Sequence, residues 1–299
     1  MYLPQYILIH TLYNIVLFPI LFSNNAVFYR TLTPTLYFYT IVAGPFSAQF
    51  RNGGIRLTVF LTSSPTMDSF EIPPVPALFP DNQFIYQLQR RWKPLNRCLM
   101  IAADPDIYPE NDEMTNYFHR AFLNANLSCS CFELWDNRRS PLSREQLHSY
   151  DVILLAGGHV PTEHRWFEQI HLKELISGFS GIVIGISAGS MNAARTVYGW
   201  PERKGESSDP RHSLFFPGLG LANTIVLPHY QKIKGSLLDG RALFEDITCS
   251  HSFGRRFYAI PDGSYVLVEN GIETLYGEAD LITQGSIYPF CSYGQTKIL

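Results

Sequence analysis

Residues 181 to 189 read Gly181-Ile182-Val183-Ile184-Gly185-Ile186-Ser187-Ala188-Gly189, and Ser190-Met191-Asn192-Ala193-Ala194-Arg195 follows. The apolar run predicts a buried strand, and the residues after Gly189 can start a helix. Between them lies Gly-x-Ser-x-Gly. Strand, tight turn and helix form the setting in which this pattern makes a nucleophile elbow, with the serine hydroxyl lifted clear of a sheet. Glycines are needed on both sides because side chains there would collide with the strand and the helix. The backbone N–H of Ala188 is then placed to receive an oxyanion.

Working outward, the chain alternates strands and helices. Strands are expected at residues 56–61, 97–103, 128–134, 151–155 and 181–186, and each is nearly continuously apolar. Helices are expected at 82–91, around the apolar face Met114, Tyr117, Phe118, Ala121, Phe122 and Ala125, and over 162–177. This alternation predicts an α/β fold, a mostly parallel sheet with helices on both faces. Beyond a polar loop at 200–210, a strand ends in Pro228-His229, a helical pattern covers 236–247, and the rest reads as β-hairpins, with Asn270-Gly271 as the hairpin signal.

Ligands of parallel sheets sit outside the carboxyl ends of the strands. Ser187 and the Gly157-Gly158 pair both lie at such ends, so the bare glycine backbone can share the serine's site. A serine nucleophile needs a base, and the base an orienting acid. His229 is the best-placed base, because its strand runs into the same edge. His159, beside the glycine pair, is its rival. Glu202, Glu206 and Asp209 are the candidate acids, all between serine and histidine, and spacing does not choose among them.

The bulk composition narrows the class. The 299 residues hold 46% hydrophobic and 16% charged residues, with a net charge of −3. That describes a globular protein with a sizeable core and no basic run for nucleic acid. Five cysteines without framework spacing suggest reduced thiols and a cytoplasmic catalytic domain, with Cys98 a small core residue. No metal-ligand spacing is present, and no cofactor is expected. Residues 1–54 differ from the rest. They carry two apolar runs and no charged leader, so a signal peptide is not expected. Two readings stand, a membrane-associated anchor or an extension foreign to the protein, such as upstream sequence read from a wrong start. The second is preferred. The catalytic domain is expected over residues 55–299.

Four segments in order resemble the dipeptidase E (aspartyl dipeptidase) family of serine peptidases, to which cyanophycinase is related. They are Leu154-Leu-Ala-Gly-Gly-His-Val-Pro-Thr162, Gly185-Ile-Ser-Ala-Gly-Ser-Met-Asn192, Val197-Tyr-Gly-Trp-Pro-Glu202 and Leu227-Pro-His-Tyr230. The resemblance implies a fold like the class I glutamine amidotransferase domain, with Ser187 as nucleophile and His229 as base. It also implies Glu202 as the acid, with oxyanion donors at the N–H groups of Gly158 and Ala188, and Gly157 as the lesser alternative. Those amidotransferases keep a His-x-Glu pair, and here the third position is Gln231, which favours the peptidase branch. The expected activity is hydrolysis of a small peptide through an acyl-enzyme. A non-peptidase serine hydrolase and a non-catalytic binding protein on the same scaffold are the alternatives. Lys232, Lys234 and Arg241 are the possible sources of the basic residue that aspartyl specificity requires.

Overall fold

The computed structural model describes residues 57–67 and 75–299. The expected boundary at residue 54 and everything before it lie outside the described residues.

An eight-stranded sheet forms the centre. Five strands are parallel, in the spatial order Cys129–Trp135, Asn96–Ile101, Val152–Leu155, Ile182–Ile186 and Thr58–Thr62. Tyr265–Glu269, Ile272–Tyr276 and Thr296–Ile298 continue it antiparallel. The inner strands Val152–Leu155, Ile182–Ile186 and Thr58–Thr62 are buried at every residue. Strand side chains alternate faces, so an all-apolar strand serves two cores. Leu99 and Ile101 pack on one face with Trp166, Phe167 and Leu172. Cys98 and Met100 pack on the other with Phe118 and Phe122 from the helix Tyr108–Asn124. Each such side chain contributes about 1.5–3 kcal/mol of burial. Among the described residues no helix is long and apolar enough to cross a membrane.

A second, four-stranded sheet matters most for the site. Its strands run in the order Ser286–Cys291, Ala279–Thr283, Arg256–Ala259 and Ile225–Leu227. The last two are parallel neighbours, with Phe257 opposite Ile225 and Ala259 opposite Leu227.

The hairpin at Asn270-Gly271 forms as expected. Both residues take positive φ, 54° and 78°, and Glu269 pairs with Ile272. Two helical expectations fail. The helix expected over 162–177 is two helices, Val160–Gln169 and Leu172–Ile176, broken where His171 turns left-handed at φ 53°. The break lets both Leu172 and Ile176 reach the core. The helix expected over 236–247 is instead a small hairpin, Leu237–Leu238 against Arg241–Ala242, followed by a wide helical turn, Leu243–Thr248. Asp239 and Gly240 adopt φ of 51° and 78°, the two positive values that a tight hairpin turn requires and a helix forbids.

Candidate active site

Ser187 follows directly from the central strand Ile182–Ile186 and precedes the short helix Ala188–Ala193. Its backbone sits at φ 50°, ψ −110°, a conformation unusual for a residue with a side chain. Two close approaches demand the flanking glycines. A Cβ on Gly185 would fall 2.7 Å from the backbone of Ser190, and one on Gly189 would fall 2.3 Å from the carbonyl oxygen of Leu155. The turn is tied to the neighbouring strand by the Ser187 N–H, which donates to the carbonyls of Thr62, 3.1 Å, and Ser63, 2.9 Å.

His229 follows Pro228 at the end of Ile225–Leu227 and is itself left-handed, φ 57°. Its Nε2 lies 2.9 Å from Ser187 Oγ and its Nδ1 lies 2.8 Å from Asp262 Oδ1. A carboxylate at Nδ1 requires the proton there, which leaves Nε2 to accept the serine hydroxyl proton. Asp262 follows Pro261 at the end of Arg256–Ala259, so His229 and Asp262 leave adjacent parallel strands through the same strand-Pro-residue exit. The Ile260 N–H donating to the Leu227 carbonyl, 2.9 Å, carries the pairing up to that exit.

The Asp262 carboxylate is almost fully buried, 6% exposed, yet heavily solvated by protein donors. Oδ1 accepts from His229 Nδ1 and from Ser63 Oγ, 2.7 Å; Oδ2 accepts from Gln231 Nε2, 2.6 Å, and pairs with Lys232 Nζ, 3.0 Å. Burial opposes ionisation, but these hydrogen bonds and the charge of His229 outweigh it and hold the carboxyl well below the usual carboxylate range.

The structure sets Asp262, and not the expected Glu202, against His229 Nδ1. No hydrogen bond joins Glu202 to His229 among the described residues, and His229 Nδ1 is occupied by Asp262. Glu202 lines the cavity beside Ser187, near the Val160 N–H at the start of the helix Val160–Gln169. It is open to the cavity but ringed by protein atoms. That partial burial, and then the charge of Glu206, push its carboxyl up to about 7. Glu206 accepts the N–H groups of Glu202 and Arg203, both at 2.8 Å, and meets His159 Nε2 at 3.2 Å. His159, the rival base, is thereby committed to Glu206 and to Thr162 Oγ1, 2.8 Å. Asp209 pairs with Arg211 on the surface. Asp262, the carboxylate that the structure sets against His229, reads in sequence as an ordinary Pro-Asp-Gly turn. The signal that could have found it is the shared pattern Leu227-Pro228-His229 and Ile260-Pro261-Asp262, an apolar strand, a proline, then a titratable residue.

Gly157, Gly158, Ser187, Glu202 and His229 line one cavity of about 590 Å³ with apolar walls that include Met114, Phe118 and Trp200. Neither the Gly158 nor the Ala188 N–H donates to a protein acceptor among the described residues. Lys232 and Lys234 pair with Asp262 and Asp280, and Arg241 Nη2 donates to the Asp246 carbonyl. A second cavity of about 620 Å³, between Arg255, Arg256 and Leu299, contains none of the candidate residues.

Behind the elbow lies a buried carboxyl, Glu163. Its Oε2 accepts from Asn192 Nδ2 at 2.8 Å, and Oε1 has no partner. Burial pushes its pKa far up where it lies between the helix Val160–Gln169 and the elbow helix.

The family model described as peptidase family S51 matches residues 106–275, which include Gly158, Ser187, His229 and Asp262. Among solved structures, a peptidase from an acI-B1 Actinobacterium superposes with a TM-score of 0.51 at 16% identity, covering 83% of this chain and 98% of its own. A putative peptidase E protein from Listeria monocytogenes EGD-e gives 0.45 at 15% identity, covering 81% and 98%. No curated protein matches the chain.

Proposed function

The chain belongs to peptidase family S51 and is a serine-type peptidase, and on that premise we propose that Ser187 is its nucleophile, His229 its general base and Asp262 the acid that orients the base. The observation that carries this reading is the unbroken run of hydrogen bonds from Asp262 through His229 to Ser187. His229 Nε2 takes the hydroxyl proton as Ser187 Oγ attacks the scissile carbonyl. The carbonyl oxygen becomes an oxyanion held by the free N–H groups of Gly158 and Ala188, with Gly157 the lesser candidate. His229, now charged and steadied by Asp262, gives its proton to the leaving amine, and the acyl-enzyme forms. Water deprotonated by the same histidine then releases the acid product.

The proposed substrates are short peptides, which suit a cavity of about 590 Å³. Glu202 belongs in this reading to substrate contact, because it shares the cavity without a hydrogen bond to His229; its carboxylate suits the ammonium of a short peptide. The five cysteines are free, which supports a cytoplasmic setting. We assign catalysis to residues 55–299. No step above calls for a cofactor.

The test is direct. Ser187→Ala should abolish both peptide hydrolysis and covalent labelling by a fluorophosphonate probe. Labelling that persists at the wild-type rate refutes the assignment.

A further inference from the structure

Ser63 stands immediately after the strand Thr58–Thr62 and is completely buried. The strand pairs in parallel with Ile182–Ile186, Thr62 opposite Ile186, so continuing the register brings Ser63 level with Ser187. Three bonds leave this one residue for three different members of the site. Its carbonyl oxygen accepts the Ser187 N–H at 2.9 Å. Its hydroxyl donates to Asp262 Oδ1 at 2.7 Å. The same hydroxyl accepts the His229 N–H at 2.7 Å. A hydroxyl has one proton and two lone pairs, so donating to a carboxylate while accepting from an amide is a fully allowed arrangement.

We propose that Ser63 is a positioning residue that sets nucleophile, base and acid in register with one another. The proposal rests on the assignment of Ser187, His229 and Asp262 made above. Its physical content lies in where those residues come from. Ser187 is delivered by the eight-stranded sheet, and His229 and Asp262 by the four-stranded one. The His229–Asp262 contact is internal to the second sheet, but the contact between Ser187 and His229 crosses from one sheet to the other. Ser63 belongs to the first sheet and grips both residues of the second.

The grip on each is specific. His229 holds a left-handed backbone that disfavours a residue with a side chain, and its N–H is the group that Ser63 Oγ fixes. Releasing that N–H lets the backbone relax and the imidazole swing from Ser187. Asp262 Oδ1 is the oxygen that His229 Nδ1 uses, and Ser63 shares it, which fixes the plane of the carboxylate toward the ring. A proton transfer over one hydrogen bond is sensitive to displacements of a fraction of an ångström, so both losses fall on the chemical step and not on substrate binding.

The experiment uses the full chain and three variants, Ser63→Ala, Ser63→Thr and Ser63→Cys, with Asp262→Asn measured in parallel. Steady-state peptide hydrolysis gives kcat and KM separately, and the fluorophosphonate labelling rate reports Ser187 reactivity without a peptide. Thermal unfolding of each variant fixes a temperature at which all are folded. Ser63→Ala is expected to lower kcat and the labelling rate about 10- to 100-fold, with KM within about twofold. Ser63→Thr, which keeps the hydroxyl, is expected to recover most of the rate. A purely structural role would lower the unfolding temperature and leave kcat and labelling alone. If Ser63→Ala does not fold, Ser63→Cys decides: its weaker donor and acceptor should slow labelling several-fold. Wild-type labelling in the folded Ala variant, or in the Cys variant where Ala is unfolded, overturns the proposal provided Asp262→Asn is slow. If Asp262→Asn labels at the wild-type rate as well, the assignment of the acid has failed and the proposal falls with it.

Discussion

Replacing Asp262 by Asn is the sharpest test of the site, because its outcome depends on which way the new amide faces. The carboxylate accepts from His229 and Ser63 on Oδ1 and from Gln231 and Lys232 on Oδ2. An asparagine has one acceptor atom and one donor group to cover both sides. With the amide NH2 toward Gln231 Nε2 and Lys232 Nζ, donor meets donor and one of the two is a cation. With the NH2 toward His229 and Ser63, both partners can adapt, since the hydroxyl can accept and Nδ1 can lose its proton. The second orientation is therefore favoured. It forces the histidine proton onto Nε2, the nitrogen that must accept from Ser187. A wrong-tautomer histidine of this kind lowers kcat about 10⁴-fold, equivalent to about 5.5 kcal/mol of barrier. Had the oxygen faced His229, only the charge of one hydrogen bond would be lost, about 1.5–3 kcal/mol or roughly 10- to 100-fold. Glu202→Gln supplies the contrast: as Glu202 makes no hydrogen bond to the His229 ring, the change should alter the labelling rate less than about tenfold. The assay is the labelling rate of Ser187 with a neutral fluorophosphonate, backed by kcat for peptide hydrolysis. Asp262→Asn within tenfold of wild type, or Glu202→Gln slower by a thousandfold, would show the reasoning to be wrong.

Three further outcomes follow from backbone geometry and burial. The strained conformation of Ser187 favours glycine, so Ser187→Gly should be more stable than Ser187→Ala by about 1 kcal/mol, both being inactive; equal denaturation midpoints would refute the strain argument. Gly189→Ala should cost about 1–3 kcal/mol or more, because the new methyl meets the Leu155 carbonyl on a buried strand; this is read from urea unfolding, and a neutral result would mean the elbow can shift. Glu163 gives a pH signature. Its folded pKa is raised well above the ordinary 4.5, so above that pH the unfolded chain has lost a proton that the folded chain keeps. The stability this group contributes is complete below its unfolded pKa and falls by about 1.4 kcal/mol per pH unit until the folded carboxyl ionises. Glu163→Gln should remove that slope, so unfolding free energies of wild type and variant should converge at acid pH and diverge as pH rises. Parallel curves would show that Glu163 titrates normally.

Local chemistry made much of this molecule legible. The buried strands announce themselves as apolar runs, the Asn270-Gly271 hairpin as two residues that tolerate positive φ, and the elbow as glycines where backbone meets backbone. The failures are non-local. Nothing in the apolar spacing of residues 162–177 marks His171 as left-handed, because the gain lies in letting Leu172 and Ile176 meet a core built by distant strands. The stretch 236–247 carries helix-like spacing, but Asp239-Gly240 turns the chain back. Asp262 was hidden for a different reason. An acid looks useful when it lies between serine and histidine in sequence, whereas its neighbours are set by the pairing of Arg256–Ala259 with Ile225–Leu227, which no local pattern states.

That parallel pair has a consequence for how such a protein can change. Neighbouring strands lie about 4.8 Å apart, and this spacing sets the distance between His229 and Asp262 whatever chain connects their exits. Gln231 and Lys232 hold Asp262 itself, but the rest of the connecting stretch, residues 233–255, supplies Ile233, Leu237, Leu238 and Leu243 to the cavity wall. Insertions, deletions and substitutions there can reshape what the cavity admits while the relay keeps its dimensions. Appetite for new substrates and fidelity of proton transfer can thus be inherited separately, one through a loop and the other through a sheet.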